Sequence, residues 1–262
     1  VAAIGNGNQV MNVVIIVLTT MSTAATILLT QHIGAGRVGE ECSEIVTVAV
    51  TVSAVFSFLV GLFLLLEPEL VFQLLRTPED AFDGACLYTR IVGGTVLLQG
   101  LYIQLCAVLR SYTLLKEVVV LSVSMNLLNV AGNAILINGF FGFPQMGVAG
   151  AAVATIIGQF CGCALAIYFN HKKNTDITLS IKGFRPDFRL IGEIYAIGLP
   201  SVIMIAIGSV MTFLMNKILI TYHAAHETAA TAFGAYFKLN SFIFMPVFGM
   251  NNGVVPIVAY NY

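Results

Sequence analysis

Long apolar runs separated by short polar breaks dominate the chain, on a length scale far above the period of an amphipathic helix or strand. Runs with enough residues to cross a bilayer occupy 8–31, 45–66, 85–109, 118–137, 147–169, 196–221 and 229–258. A spanning helix needs about 20 mostly apolar residues, so these runs predict an all-α membrane protein, a polytopic helical bundle of about seven spans. The last run is the least regular. Residues 235–262, AYFKLNSFIFMPVFGMNNGVVPIVAYNY, hold a lysine, two prolines and several asparagines. Lys238 is costly in hydrocarbon and must face protein or water. Pro246 and Pro256 each remove a backbone donor, and Gly249 and Gly253 loosen the turn between them, which predicts a broken helix of the kind that lines transport pathways. The competing reading is a kinked helix whose lysine snorkels, against which stands a depth on the order of 10 residues.

Charge orients the bundle. Arg37, Arg110, Lys116, Lys172, Lys173, Lys182, Arg185 and Arg189 fall on one side, while Arg76 and Arg90 fall on the other. The positive-inside rule puts the first group in the cytoplasm, so the first run crosses from outside to inside. The polar stretch 171–195, with turn signals at Asn174, Gly183 and Pro186, reads as a cytoplasmic linker. It divides the chain into first-lobe helices at 1–170, the linker at 171–195, and the start of a second lobe at 196–262.

Composition supports the membrane class. Of 262 residues 58% are hydrophobic and 10% charged, and the mean hydropathy is +0.92, where a soluble domain carries about 25% charged residues. The net charge of −1, with no basic tract outside one loop, argues against a nucleic-acid partner. Lipid is the partner this composition fits. The five cysteines lie mostly in apolar runs, as small buried hydrophobes do. His223, His226 and Glu227 fall short of a metal set. No nucleophile elbow, phosphate loop or cofactor motif is present, so neither an enzyme nor a cofactor is expected.

A faint internal repeat appears at an offset of about 229 residues, pairing Ala3 with Ala232, Gly5 with Gly234, Gln9 with Lys238 and Met21 with Met250. Both members lie in runs of like orientation. With no starting methionine, and with the second copy stopping at Tyr262, both ends of the chain are expected to be cut.

Candidate chemistry lies mostly in the fourth and fifth runs. Ser122, Asn126, Asn129 and Asn133 recur at spacings of four, three and four, one stripe on a helix. Amides in hydrocarbon must find partners, so the stripe is expected to face the interior and either coordinate a cation, meet a substrate or bond a neighbouring helix. In the fifth run Gly150, Ala154, Gly158 and Gly162 form a small-residue stripe that admits another helix, beside a short polar edge of Thr155 and Gln159. The first run holds Asn8, Gln9, Asn12 and many threonines and serines, which predicts a wall of a water-lined cavity. Gln99, Tyr102 and Gln104 give the third run a similar character. No carboxylate lies near the middle of any run, so these residues cannot assemble a proton relay.

QHIGAGR after the first run, LRSY after the third, NVAGNAILINGFFGFPQMGVAGAAVAT across the fourth and fifth, GLPS at 198–201 and the final PIVAYNY together resemble the multidrug and toxic compound extrusion (MATE) transporters, in a prokaryotic branch. The resemblance covers essentially the whole chain. It implies two six-helix lobes in the complete protein, of which this chain corresponds to about helices two to eight of twelve. It further implies a monomeric antiporter in the cytoplasmic membrane that exports organic cations, drugs or other amphiphiles by alternating access, driven by Na+ or H+. Asn129 and Asn133 match an Asn-x-x-x-Asp pair of the family's cation site, with an amide here in place of the acid, and Thr155 matches a threonine bordering it. A first-lobe lining of Asn126, Asn129, Asn133 and Thr155, with possible Na+ near Asn129 and Asn133, and a second-lobe lining of Lys238, Asn240 and Asn251 follow from the resemblance. The alternative is a lipid-linked precursor flippase of the same broad fold, which calls for a strongly cationic cavity.

Overall fold

A computed structural model describes residues 2–74, 79–142, 144–174, 188–222 and 228–262. Within these helices some side chains, those of Gln9, Lys217 and Lys238 among them, lie outside the described residues, as do Arg76, Lys182, Arg185 and the whole His223–Glu227 group. Everything described is helix and short turn, with the order α1 (Ala2–Gly34), α2 (Glu40–Leu66), α3 (Pro68–Leu74), α4 (Glu79–Gly93), α5 (Val96–Ser111), α6 (Leu115–Asn138), a single 3-10 turn, α7 (Gly147–Lys173), α8 (Phe188–Tyr222) and α9 (Thr228–Asn261). Among the described residues five helices are long and apolar enough to cross a membrane, and α4 and α5 together make a sixth, bent span. α8 coincides with the sixth expected run.

The helix α1 is the axis of the molecule. It packs against α2, α4, α5, α8 and α9, while α6 lies outside this group and packs chiefly along α7. One apolar core gathers Leu18 of α1, Val96 and Leu109 of α5, Leu121 of α6 and Ala152 of α7. A second joins Ala24, Leu28 and Leu29 of α1 to Ile45 and Val48 of α2 and Ile194 of α8. At the C-terminal end of α1, Gly34 lies so close to the Tyr260 backbone of α9 that a Cβ would overlap its carbonyl oxygen.

Three expectations change. The third run is two helices, bent by 54° between Gly93 and Val96, because Gly93 and Gly94 offer little helix propensity and Thr95 supplies another partner for the freed backbone. The last run is one unbroken helix, α9, which carries Pro246 and Pro256 inside it. Proline costs a helix one backbone bond and a clash, which neighbouring protein absorbs in a membrane without ending the helix. Only part of α1 faces water: Asn8, Asn12 and Thr19 are exposed, and three of its threonines are not. Thr20, Thr26 and Thr30 are buried and donate to carbonyls one turn back, at Ile16 (2.8 Å), Ser22 (2.9 Å) and Thr26 (2.6 Å). A hydroxyl satisfied within its own helix leaves a smooth surface for packing.

Candidate functional site

The stripe on α6 becomes a hydrogen-bonded relay. Asn133 Nδ2 donates to Asn129 Oδ1 (2.9 Å), Asn129 Nδ2 donates to Thr155 Oγ1 of α7 (3.2 Å), and the Thr155 hydroxyl donates to the Ala151 carbonyl (2.9 Å). The direction of the relay is fixed at its far end. A backbone carbonyl only accepts, so the single Thr155 proton goes to Ala151 and its oxygen must receive the Asn129 amide. Each earlier amide is then oriented in turn. What remains is an acceptor: Asn133 Oδ1 is buried and has no hydrogen-bond partner among the described residues.

Close packing of α6 on α7 makes the relay possible. A Cβ at Gly150 would sit 2.7 Å from the Leu136 carbonyl, and one at Gly132 would sit 2.9 Å from the Ala154 side chain. Gly158 and Gly162 likewise face Met125. The small-residue stripe of α7 therefore meets α6, and the resulting backbone approach lets a short asparagine reach a threonine across the interface.

Beside the relay lies a cavity of about 280 Å³ between α1, α4, α5, α6 and α7. Six amides face it, Asn8, Gln99, Asn126, Asn129, Asn133 and Gln159, together with Tyr88 and Thr155. None of the lining residues is an acid, a lysine or an arginine. The Tyr88 hydroxyl donates to Asn8 Oδ1 (2.8 Å), closing one wall, and Thr95 at the α4–α5 bend lies 2.9 Å from Gln159. Asn126 stands at the exposed rim and donates to the Ser122 carbonyl (2.7 Å). Ser122 itself faces the Tyr102 hydroxyl at 3.4 Å.

The structure thus brings Asn126, Asn129, Asn133 and Thr155 to one cavity. Two of the second-lobe candidates, Asn240 and Asn251, are not part of its lining. Asn240 is half-buried and Asn251 exposed on α9, and the Lys238 side chain lies outside the described residues. Tyr88 was missed, although a tyrosine inside the apolar run 85–109 is a signal of the same kind as Tyr102. Asn8 and Gln159 carried a polar signal without a partner to give it meaning. Among the described residues no group of three or more His, Cys, Asp or Glu side chains could hold a metal ion.

A bundle of spanning helices around a neutral, amide-lined cavity, bounded by a bent helix pair, defines a polytopic membrane protein of the transporter class. The MatE family profile matches residues 1–135, and the chain belongs to this family, that of the MATE transporters. It is 27% identical over 250 residues to the uncharacterized transporter YisQ of Bacillus subtilis, covering 95% of this chain and 53% of that protein. To the probable multidrug resistance protein NorM of Thermotoga maritima it is 26% identical, covering 99% of this chain and 55% of the relative. Over 136 residues it is 32% identical to the multidrug export protein MepA of Staphylococcus haemolyticus, covering 52% of this chain and 28% of that one. A solved outward-facing multidrug resistance MATE transporter superposes with a TM-score of 0.87 at 20% identity, covering 98% of this chain and 56% of that structure. The chain spans about half the length of the relatives that it matches along its whole course.

Proposed function

We propose that the complete protein is a cation-coupled antiporter that exports organic cations, drugs or other amphiphiles across the cytoplasmic membrane by alternating access, with Na+ or H+ as the coupling ion. The observation that carries this reading is the polarity of the α6–α7 relay, which ends in a buried acceptor, Asn133 Oδ1, at an uncharged cavity. An acceptor in a water-poor site favours a cation or a hydrogen-bond donor over an anion. Relatives named as multidrug export proteins support the substrate class. The flippase reading asks for a cationic cavity, and this lining has no charged side chain.

In this reading 1–170 forms the first lobe, 171–195 the cytoplasmic connection and 196–262 the opening of the second lobe, the protein works as a monomer, and Lys238, Asn240 and Asn251 line the second lobe. Na+ near Asn129 and Asn133 would be held by amide oxygens, which do not titrate. Proteoliposomes holding the full-length protein test the function directly. Ethidium accumulation driven by an imposed Na+ or pH gradient is expected, and the gradient that works names the ion; accumulation under neither would overturn the antiporter.

Two substitutions probe the lining. Asn133→Asp puts a titratable group at the free end of the relay, so it is expected to introduce or strengthen a pH dependence of export relative to the parent. An unchanged pH profile would show the site to be misplaced. Lys238→Ala is expected to abolish ethidium export or redirect its selectivity while the protein still reaches the membrane, because a lysine at that depth is costly to keep without a use. Parental rates and selectivity in that variant would remove Lys238 from the lining.

A further inference from the structure

We propose that the bend at Gly93, Gly94 and Thr95 is a hinge inside the first lobe, through which occupancy of the amide cavity changes the angle between α4 and α5. Both sides of the bend pack on α1, α2 and α7, and α4 also packs on α3. On the α4 side, Phe72, Ala85 and Cys86 form a small apolar cluster that Val10 of α1 and Phe82 join, and Arg90 pairs with Glu69 of α3 at 3.3 Å. On the α5 side, Val96, Ile103, Leu105 and Leu109 root the helix in the main core. Tyr88 and Val92, with half-buried Ile91 packed beside them, carry α4 into the same core.

The backbone at the bend is released from the helical ladder. Gly94 N reaches the Arg90 carbonyl only at 3.4 Å, and Thr95 N turns to the Val92 carbonyl at 3.0 Å. A helix start also leaves its first N–H groups without partners inside the helix. Irregular backbone at membrane depth persists where it is buried in protein or lines a cavity, and here it adjoins one. Tyr88 on one side of the bend and Gln99 on the other both face the cavity.

Thr95 connects the bend to the site. Its hydroxyl lies 2.8 Å from the Val92 carbonyl and 2.9 Å from Gln159 Oε1, and it has one proton for the two. Gln159 faces the cavity from α7. A ligand that engages the Gln159 amide oxygen therefore competes for the Thr95 proton, which then passes wholly to the Val92 carbonyl and severs the tie between the bend and α7.

The two adjacent glycines make the hinge testable, because they differ in surroundings. A Cβ on Gly93 would collide with Leu64 at 2.8 Å, whereas one on Gly94 would lie 3.6 Å from its nearest neighbours, ordinary contact. Gly94→Ala thus stiffens the bend without crowding it. Hydrogen exchange by mass spectrometry on the full-length protein, read on peptides covering 90–98, is the first measurement. That segment is expected to exchange about tenfold faster than the core of α5, Gly94→Ala to slow it roughly threefold, and Thr95→Val to speed it roughly fivefold. Ethidium is expected to alter exchange at the segment in the parent and to have no effect in Thr95→Val. Exchange as slow as that of α5, or unchanged by Gly94→Ala, would overturn the hinge. Ethidium that the parent exports in proteoliposomes but that leaves exchange at this segment unchanged would overturn the coupling of the cavity to the bend.

Discussion

The span α9 contains two prolines and stays a single helix, whereas the span made of α4 and α5 contains none and is bent by 54°. The difference lies in what the freed backbone groups can find. A proline removes one donor and leaves the rest of the ladder in register, so the helix continues past it. The Gly93-Gly94-Thr95 triplet weakens successive positions, and the threonine hydroxyl then stabilises the broken form by bonding the Val92 carbonyl. Helix α2 fixes the place, since a Cβ built on Gly61 would sit 2.8 Å from the Gly93 carbonyl. Residues that destabilise a helix therefore end it where an alternative partner and a close neighbour coincide, and not merely where they occur.

Substitutions can break this comparison, beginning at the bend. Gly93→Ala pushes a methyl against Leu64 and is expected to destabilise the fold by about 1–3 kcal/mol, as overpacking does. A lowered thermal unfolding midpoint in detergent would register it, and a midpoint equal to the parent's would show the α2 contact to be irrelevant. Thr95→Val removes the partner of the broken form and is expected to cost about 1–2 kcal/mol by the same assay. An unaltered midpoint would leave the glycines as the whole cause. Pro246→Ala restores a backbone donor in a helix that already runs through, and a gain of about 0.5–1.5 kcal/mol with unchanged helical content by circular dichroism is expected. A rise in helical content would mean that α9 is interrupted at the proline after all.

The gross architecture was legible because long apolar runs leave little choice in a bilayer: backbone groups must be satisfied within helices. The α6 stripe was legible for a related reason, since the 4-3-4 spacing of Ser122, Asn126, Asn129 and Asn133 has one meaning on a helix. The bend was hidden because hydropathy averages over a window, in which Gly93 and Gly94 are only mildly polar and Thr95 is one residue. Its local signal, two adjacent glycines before a threonine, was present in the chain. The threonines of α1 misled for the opposite reason. A hydroxyl that bonds its own helix is indistinguishable in sequence from one that faces water. Pairings such as Tyr88 with Asn8, separated by 80 positions, are products of packing and have no local signature.

The approach of Gly34 to Tyr260 gives α9 a lever arm. Two helices pressed backbone to backbone at one end can change their mutual angle there with little sliding. α9 has 34 residues, about 50 Å of rise, so tilting it by about 10° about that end sweeps its far end through roughly 9 Å. A small angular adjustment at the contact between Gly34 and Tyr260 is thereby magnified at the other end of α9 into a displacement close to the diameter of a helix. The absence of a single methyl group at position 34 sets how near the fulcrum lies to both axes.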